Sequence, residues 1–305
     1  MASAKDAWSR TTTIIVTHHS SAVIGPCLDS IARSARIIII DNESSDNTLD
    51  IVRAHAPKAE IIINTVGVGY GNAANQGLAL VKTEYALLMN PDADFVGEAY
   101  AELVSEADAN PDAGLMSPLL IGEDGDYDRA WNGPLFVRDL MPSNRSQEPK
   151  PEGTFCTWVV SGAVNLVRMA ALQNVGFFDQ AIFLYHEDDD ICMRLIGGGH
   201  KILVVPKAVS RHVGGGSIGY SLSNHWEKFY NMSWSRLYFE AKHNSIVAAK
   251  ALGWGQMLRF GPKALLIVRP KKAFRDAARF CGSLAFMMGV SVSKTTHRAR
   301  PEGRK

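Results

Sequence analysis

Four short runs of apolar, largely β-branched residues mark the first third of the chain, at 12–17 (TTIIVT), 37–40 (IIII), 61–63 (III) and 85–89 (YALLM). Between them, residues 26–34, 47–56 and 73–81 mix polar and apolar positions at helical spacing. Unbroken apolar runs alternating with helical patterns are what parallel strands covered on both faces require. The first 95 residues therefore predict βαβαβαβ. In such open sheets ligands bind beyond the carboxyl ends of the strands. That directs attention to His18, His19 and Ser20, to residues 41–46, to 64–75 and to 90–94.

The pattern then weakens. Residues 97–153 are irregular, with polar and proline-rich stretches at 122–128 and 142–151 that read as loops. Regularity returns with an apolar stretch at 157–167, a strand at 201–205, and helices predicted over 226–249 and 256–290. The expected organisation is an α/β domain over 1–225, with a mostly parallel sheet and helices on both faces, followed by a helical extension over 226–305.

Composition narrows the function classes. The chain has 305 residues, 46% apolar and 21% charged, with a formal net charge of +1. That is enough apolar material for a large core, and the charge balance gives no nucleic-acid partner. The charge is unevenly placed: from Gln256 onward twelve lysines and arginines face only Asp276 and Glu302. Cys27, Cys156, Cys192 and Cys281 form no zinc or CxxC pattern, which predicts reduced thiols and a cytoplasmic protein. The first ten residues do not read as a signal peptide, and no uncharged apolar run reaches the roughly 20 residues of a spanning helix. A peripheral contact between the basic tail and an anionic membrane competes with an ordinary solvated helical face.

Chemistry concentrates in three places. Asp92-Ala93-Asp94 directly follows the fourth run, and two carboxylates at i and i+2 suit Mg²⁺ or Mn²⁺ bound together with phosphates, although a solvated acidic turn has the same sequence. Glu187-Asp188-Asp189-Asp190 precedes Ile191-Cys192-Met193-Arg194-Leu195. On a helix this sets carboxylates at a positive N-terminus, as a plain dipole effect or as a general base whose pKa its acidic neighbours raise. His212 stands before Val213 and three glycines, placed just past the late strand, and reads either as an ordinary packed or surface histidine or as a neutral imidazole that completes a carboxylate and phosphate metal site. Gly69-Tyr70-Gly71-Asn72-Ala73-Ala74 fits the dinucleotide fingerprint GxGxxA. It follows the third run rather than the first, so an open helix start beside a nucleotide is the better reading.

In order along the chain these residues resemble glycosyltransferase family 2, with its GT-A fold, and its bacterial rhamnosyltransferase-like branch above all. The resemblance runs from about Thr12 to Ser217. It is carried by Asp41-Asn42-Glu43-Ser44-Ser45-Asp46, Asn72-Ala73-Ala74-Asn75-Gln76-Gly77, Asn90-Pro91-Asp92-Ala93-Asp94, Val160-Ser161-Gly162-Ala163, Val175-Gly176-Phe177-Phe178-Asp179, the stretch from Phe183 to Leu195, and His212-Val213-Gly214-Gly215-Gly216-Ser217. It implies an inverting, metal-dependent transferase that moves sugar from a nucleoside diphosphate to a hydroxyl of a glycan or lipid-linked glycan. The implied donor is dTDP-rhamnose or a UDP-hexose.

By the same resemblance, Asp188 is the base, with Asp190 as fallback, and Glu187 and Asp190 orient the loop or the acceptor. Thr17, His18, Asp41, Asn42, Ser44, Asn72, Asn75, Asp92 and Arg236 serve the nucleotide, Asp41 reading its base, and Lys242 joins Arg236 at the diphosphate. Trp158, Ser161 and Gly162 serve the acceptor, and Asp92, Asp94 and His212 hold a divalent metal. The chain departs from the family pattern at His18-His19, where an aromatic residue and Asn are usual, and at Asp189, usually apolar. Two rival readings are a sugar nucleotidyltransferase, whose glycine-rich basic loop is missing after the first run, and a non-catalytic sugar- or membrane-binding protein of the same fold.

Overall fold

The computed structural model describes residues 4–138, 140–142, 145, 148–214, 221–265, 270–291 and 300–301. A short helix α1 (Ala4–Ser9) leads into strand β1 (Thr11–Thr17), and helix α2 (Ile24–Ser30) crosses to β2 (Arg36–Asn42). Helix α3 (Thr48–His55) leads to β3 (Glu60–Asn64), and α4 (Tyr70–Leu78) to β4 (Tyr85–Met89). The four strands pair in parallel in the spatial order β3-β2-β1-β4. Their apolar side chains divide between two cores, one on each sheet face: Ile15, Ile39 and Leu87 on one, Ile14, Ile40 and Leu88 on the other. Burial on both faces is why these strands read as unbroken apolar runs.

The strand order makes β1 and β4 neighbours although two strands intervene in sequence. The chain leaves β1 towards β2 on one side and reaches β4 on the other, which opens a crevice at their carboxyl ends. Past β4 a turn at Asn90–Asp92 leads into β5 (Ala93–Phe95), then α5 (Ala99–Ala109) and β6 (Ala113–Ile121).

The region expected to be irregular thus holds a helix and a nine-residue strand that lies well inside the sheet, between β11 (Val164–Arg168) and β12 (Lys201–His212). Pro118 obscures that strand, because proline donates no ladder hydrogen bond and argues against an interior position. The fold accommodates it with an irregularity in β12: Val205 is opposite Pro118 and Val209 opposite Leu119, the register slipping between them.

Short strands β7 (Tyr127–Asp128) and β8 (Trp131–Asn132), helix α6 (Leu135–Arg138), and β9 (Phe155–Thr157) and β10 (Val159–Val160) follow. Beyond β11 come α7 (Met169–Val175), α8 (Glu187–Gly197) and then β12. β11 runs antiparallel to β4 and β6, β12 is parallel to β6, and β5 closes antiparallel on β12, so the sheet is parallel through its first four strands and mixed beyond.

Three helices follow β12: α9 (Leu222–His243), α10 (Ile246–Ala264) and α11 (Pro270–Met287). The expected helix over 226–249 breaks at Asn244, and Ser245 restarts it by accepting from the Ala248 N–H. The backbone of β13 (Arg300–Pro301) adds to the outer edge of β3. Among the described residues no helix is long and apolar enough to cross a membrane.

Candidate functional site

A cleft of about 580 Å³ opens at the carboxyl ends of β1, β2 and β4. Its floor includes Val16, His18, Asn42, Asn90 and Asp92, and His212 stands beside them. Gly69 and Tyr70, at the start of α4, form one wall, Phe183 to Tyr185 a second, and Asn224, His225 and Lys228 of α9 a third. Sheet, loop and the C-terminal helix α9 (Leu222–His243) therefore share one space.

Gly69 fixes how the first two walls meet. Its φ is +85°, and a Cβ there would stand 1.9 Å from the Phe183 carbonyl oxygen. Only glycine allows both that backbone conformation and that approach. Asn75 holds the same two segments together, donating to the Phe178 carbonyl at 2.8 Å and accepting from its N–H at 2.9 Å.

Of the residues expected at the nucleotide, His18, Asn42 and Asp92 line the cleft. Thr17 and Asp41 do not: both are buried, Thr17 donates to one Asp41 oxygen at 2.9 Å, and the Ser44 N–H binds the other at 3.1 Å. The base-reading carboxylate expected at Asp41 is instead committed to shaping the loop after β2. The Ser44 hydroxyl accepts from the His19 N–H, and Asn72 donates to the carbonyls of Val68 and Gln180. Asn75, as above, is a tether. Arg236 is half-buried on α9 and is not among the residues lining the cleft. Lys242, also expected at a diphosphate, binds Asp179 at 2.6 Å and Asp190 at 2.7 Å instead.

His18 is tied into a relay. Its Nδ1 is 2.7 Å from the Asn42 carbonyl, its Nε2 is 3.1 Å from His19 Nδ1, and His19 Nε2 is 2.9 Å from the Ser45 hydroxyl. The two histidines thus occupy their departure from the family pattern as a hydrogen-bonded pair.

The expected metal triad is not assembled. Asp92 and His212 face each other across 3.4 Å at the cleft, but Asp94 accepts a two-pronged pair from Arg211, at 2.7 and 2.9 Å. The reason is strand alternation: Asp94 is in β5 opposite Arg211, while Ala93 is opposite His212, so neighbouring side chains go to opposite faces. His212 is also the last residue of β12 rather than part of a glycine loop. Residues 215–217 of that loop lie outside the described residues, among which no three His, Cys, Asp or Glu side chains gather as a metal site. One carboxylate and one imidazole still fit a Mg²⁺ or Mn²⁺ ion whose remaining ligands come from phosphate oxygens and water.

The acidic run occupies the first turn of α8, entered through Tyr185 and His186, both at φ +68°. Two successive non-glycine residues in the left-handed region are uncommon and strained. The four acids then have separate fates. Asp190 is a structural hub with a fully buried side chain, bound by Arg194 at 2.9 Å and by Lys242 and His243 at 2.7 Å. Burial would raise its pKa, but the bonds from His243 and Lys242 and the charge of Arg194 outweigh burial and bring it down to about 2. A carboxylate so held is no fallback base. Asp189 is paired with Arg138 of α6 and with His186, which hold its pKa below the usual range against burial.

The remaining two are the reactive candidates. Asp188 is half-buried, one oxygen accepting from the Gly162 N–H at 3.0 Å and the other from the Asp189 N–H at 3.0 Å. Burial, then the charge of Asp189, pushes its pKa up to about 6. Glu187 is buried with Oε2 unpartnered, and burial together with Asp188 pushes it up to about 8. Asp188 does not form the cleft wall itself. It lines a narrow crevice of about 10 Å³ with Gly162, Asn165 and Tyr70, and Tyr70 lines both spaces.

The expected acceptor residues part company. Gly162 is in that crevice, whereas the Ser161 N–H donates to the Ala130 carbonyl and its hydroxyl accepts from the Ala163 N–H. Trp158, 52% exposed, borders a separate hollow of about 490 Å³ with Trp131 and Phe155.

Sequence reasoning missed Tyr70 and Tyr185 as walls, and Arg194, which ties α8 to the carbonyls of Val175, Gly176 and Phe177. The i,i+4 spacing of Asp190 and Arg194 was the available signal for the last.

Comparison with known proteins agrees with this architecture. Residues 12–175 match the family model for glycosyl transferase family 2. The chain is 25% identical over 273 residues to an N-acetylglucosaminyl-diphospho-decaprenol L-rhamnosyltransferase of Mycobacterium tuberculosis, covering 81% of this chain and 86% of that protein. It is 28% identical over 214 residues to the rhamnosyltransferase WbbL of Escherichia coli, covering 63% and 79%. Among solved structures, the fold matches a mannosyltransferase from Pyrobaculum calidifontis in complex with GDP-Man and Mn²⁺, with a TM-score of 0.55 at 15% identity over 92% of this chain and 87% of that one. It also matches S. aureus TarS 1–349 in complex with UDP-GlcNAc, with a TM-score of 0.54 at 15% identity over 97% and 100%.

Proposed function

Because the chain belongs to glycosyl transferase family 2, we propose that this glycosyltransferase acts by a single inverting displacement, with the donor's nucleoside diphosphate in the cleft and Asp188 as the base. The observation that carries the reading is the contrast within one helical turn. Asp190 and Asp189 are neutralised by cations, while Asp188 is held by backbone N–H groups alone and has a pKa near physiological pH. A base of this strength is deprotonated at neutral pH yet basic enough to accept a proton in the transition state. The acceptor hydroxyl reaches Asp188 past Tyr70, the side chain shared by crevice and cleft. The hydroxyl oxygen bonds to the anomeric carbon, its proton passes to a free lone pair of Asp188, and the bond to the diphosphate breaks.

Glu187, protonated below about pH 8, adds no second negative charge beside the base. His18 and Asn42 receive the nucleoside end, and Asp92 and His212 are the residues that would hold a divalent cation at the diphosphate end. When bound, that cation supplies positive charge to the leaving group. The relatives' names favour L-rhamnose as the transferred sugar and a lipid-linked sugar as acceptor; a UDP-hexose is the alternative donor, and a glycan of bacterial polysaccharide assembly the acceptor's wider setting.

The test is thermal unfolding with dTDP-rhamnose and UDP-hexoses, each with and without Mn²⁺, followed by analysis of transfer to a lipid-linked glycan. Stabilisation by one donor only when Mn²⁺ is present, and an inverted anomeric product, are expected. Asp92→Asn should abolish the Mn²⁺-dependent shift, and Asp94→Asn should retain most of it. Formation of a sugar nucleotide from sugar phosphate and nucleoside triphosphate would instead make the protein a nucleotidyltransferase.

A further inference from the structure

The C-terminal helices carry a face that the chemistry at the cleft does not use. On α10, Val247, Ala251, Trp254 and Leu258 recur at helical spacing, and Leu265 at the helix end continues the line. At 100° per residue these positions fall within an arc of about 60°. They are open to solvent: Val247 is 74% exposed, Trp254 58%, Leu258 75% and Leu265 79%. The opposite side of the helix is packed, with Ala249 buried and Gly253 against Met287 and Leu237. Among the described residues the stripe is therefore an unpartnered second apolar face rather than a displaced core face.

Its borders are basic. Lys250 and Arg259 project on either side of the stripe, and Lys272 is exposed at the start of α11. Neither helix carries an exposed acid: α10 has none, and the one in α11, Asp276, is buried against Arg275 and Arg279. An apolar stripe with a tryptophan, flanked by cations and free of anions, has the make-up of a helix lying in a membrane interface. A second copy of the same face would bring cations against cations, whereas anionic lipid headgroups complement them. The basic end of this unit also adjoins the cleft, since Phe274 of α11 packs on His225 and Trp226 of α9, whose neighbours line the third wall.

We infer that the outer face of α10 docks the protein onto an anionic bilayer, with Trp254 and Leu258 in the acyl boundary and Lys250 and Arg259 at the headgroups. This assigns the contact to α10 itself; the basic tail beyond Ser291 is outside the described residues apart from the backbone of β13. The inference is independent of donor, acceptor and base.

Co-sedimentation of the full chain with vesicles tests it. Vesicles of phosphatidylcholine alone should not bind the protein. Vesicles with about a third phosphatidylglycerol should bind it, and salt should release it. Trp254→Glu with Leu258→Glu should weaken binding at least about tenfold, and Lys250→Gln with Arg259→Gln about fivefold for each charge removed. All of these side chains are exposed, so the variants should unfold at the wild-type temperature and keep the nucleotide-induced shift, which certifies their fold. Absence of binding to the anionic vesicles, or wild-type binding by the double-glutamate variant, would overturn the inference. So would a dimer in analytical ultracentrifugation that the double-glutamate variant dissociates while no vesicle binding is seen.

Discussion

Replacing Asp190 by Asn separates structural from catalytic acids in α8. The side chain is fully buried and meets Arg194, Lys242 and His243. Its pKa falls from the ordinary 3.8 to about 2, which corresponds to about 2–3 kcal/mol of stability from the charged form. Asp190→Asn keeps the shape and loses that charge, so a loss of about 2–3 kcal/mol is expected. Asp190→Ala leaves Arg194, Lys242 and His243 without their common partner and should cost about 3–5 kcal/mol.

Urea unfolding reads the difference directly. In thermal melts the Asn variant should fall by about 5 °C, taking about 2 °C per kcal/mol for a chain of this length. The sign with pH is fixed as well. A depressed folded-state pKa gives stability that is present above pH 3.8 and lost as pH falls through about 2, so wild type and variant should converge in acid. Below its melting temperature Asp190→Asn should keep turnover within about tenfold of wild type. A folded Asn variant of wild-type stability whose turnover falls a thousandfold would refute the hub and return Asp190 to the role of base.

Asp188→Asn should lose turnover by about 10²–10⁴-fold with nucleotide affinity retained, and the wild-type rate should fall on the acid side of about pH 6; a flat profile from pH 5 to 8 in a chemistry-limited assay would exclude it as base. Glu187 has a raised folded-state pKa of about 8, so its contribution to stability is present below 4.5 and lost as pH rises through 8. Denaturant titrations should therefore show Glu187→Gln gaining on wild type with rising pH, and parallel curves would contradict this. Gly69→Ala forces a Cβ into the Phe183 carbonyl, and should cost roughly 1–3 kcal/mol and weaken nucleotide binding in titration calorimetry by displacing the second wall.

The residues alone determined the four parallel strands, because strands buried on both faces must be apolar throughout and the intervening helices amphipathic. They also placed the cleft, since strand ends in such a sheet are where loops can gather polar groups, and His18, Asn42, Asp92 and His212 meet there as expected. The helical start of the acidic run was legible from Glu187 to Leu195. What the pattern concealed was β6, hidden by Pro118 until a slip in β12 on the neighbouring strand accommodates it. Tertiary structure also decided which acids are spent. Asp41, Asp94 and Asp190 look as reactive in sequence as Asp92 and Asp188, but a carboxylate's availability depends on its spatial partners. Those partners are Thr17 and the Ser44 N–H, Arg211 across a strand pair, and Lys242 and His243 more than fifty residues away on α9, in addition to Arg194 one turn along its own helix.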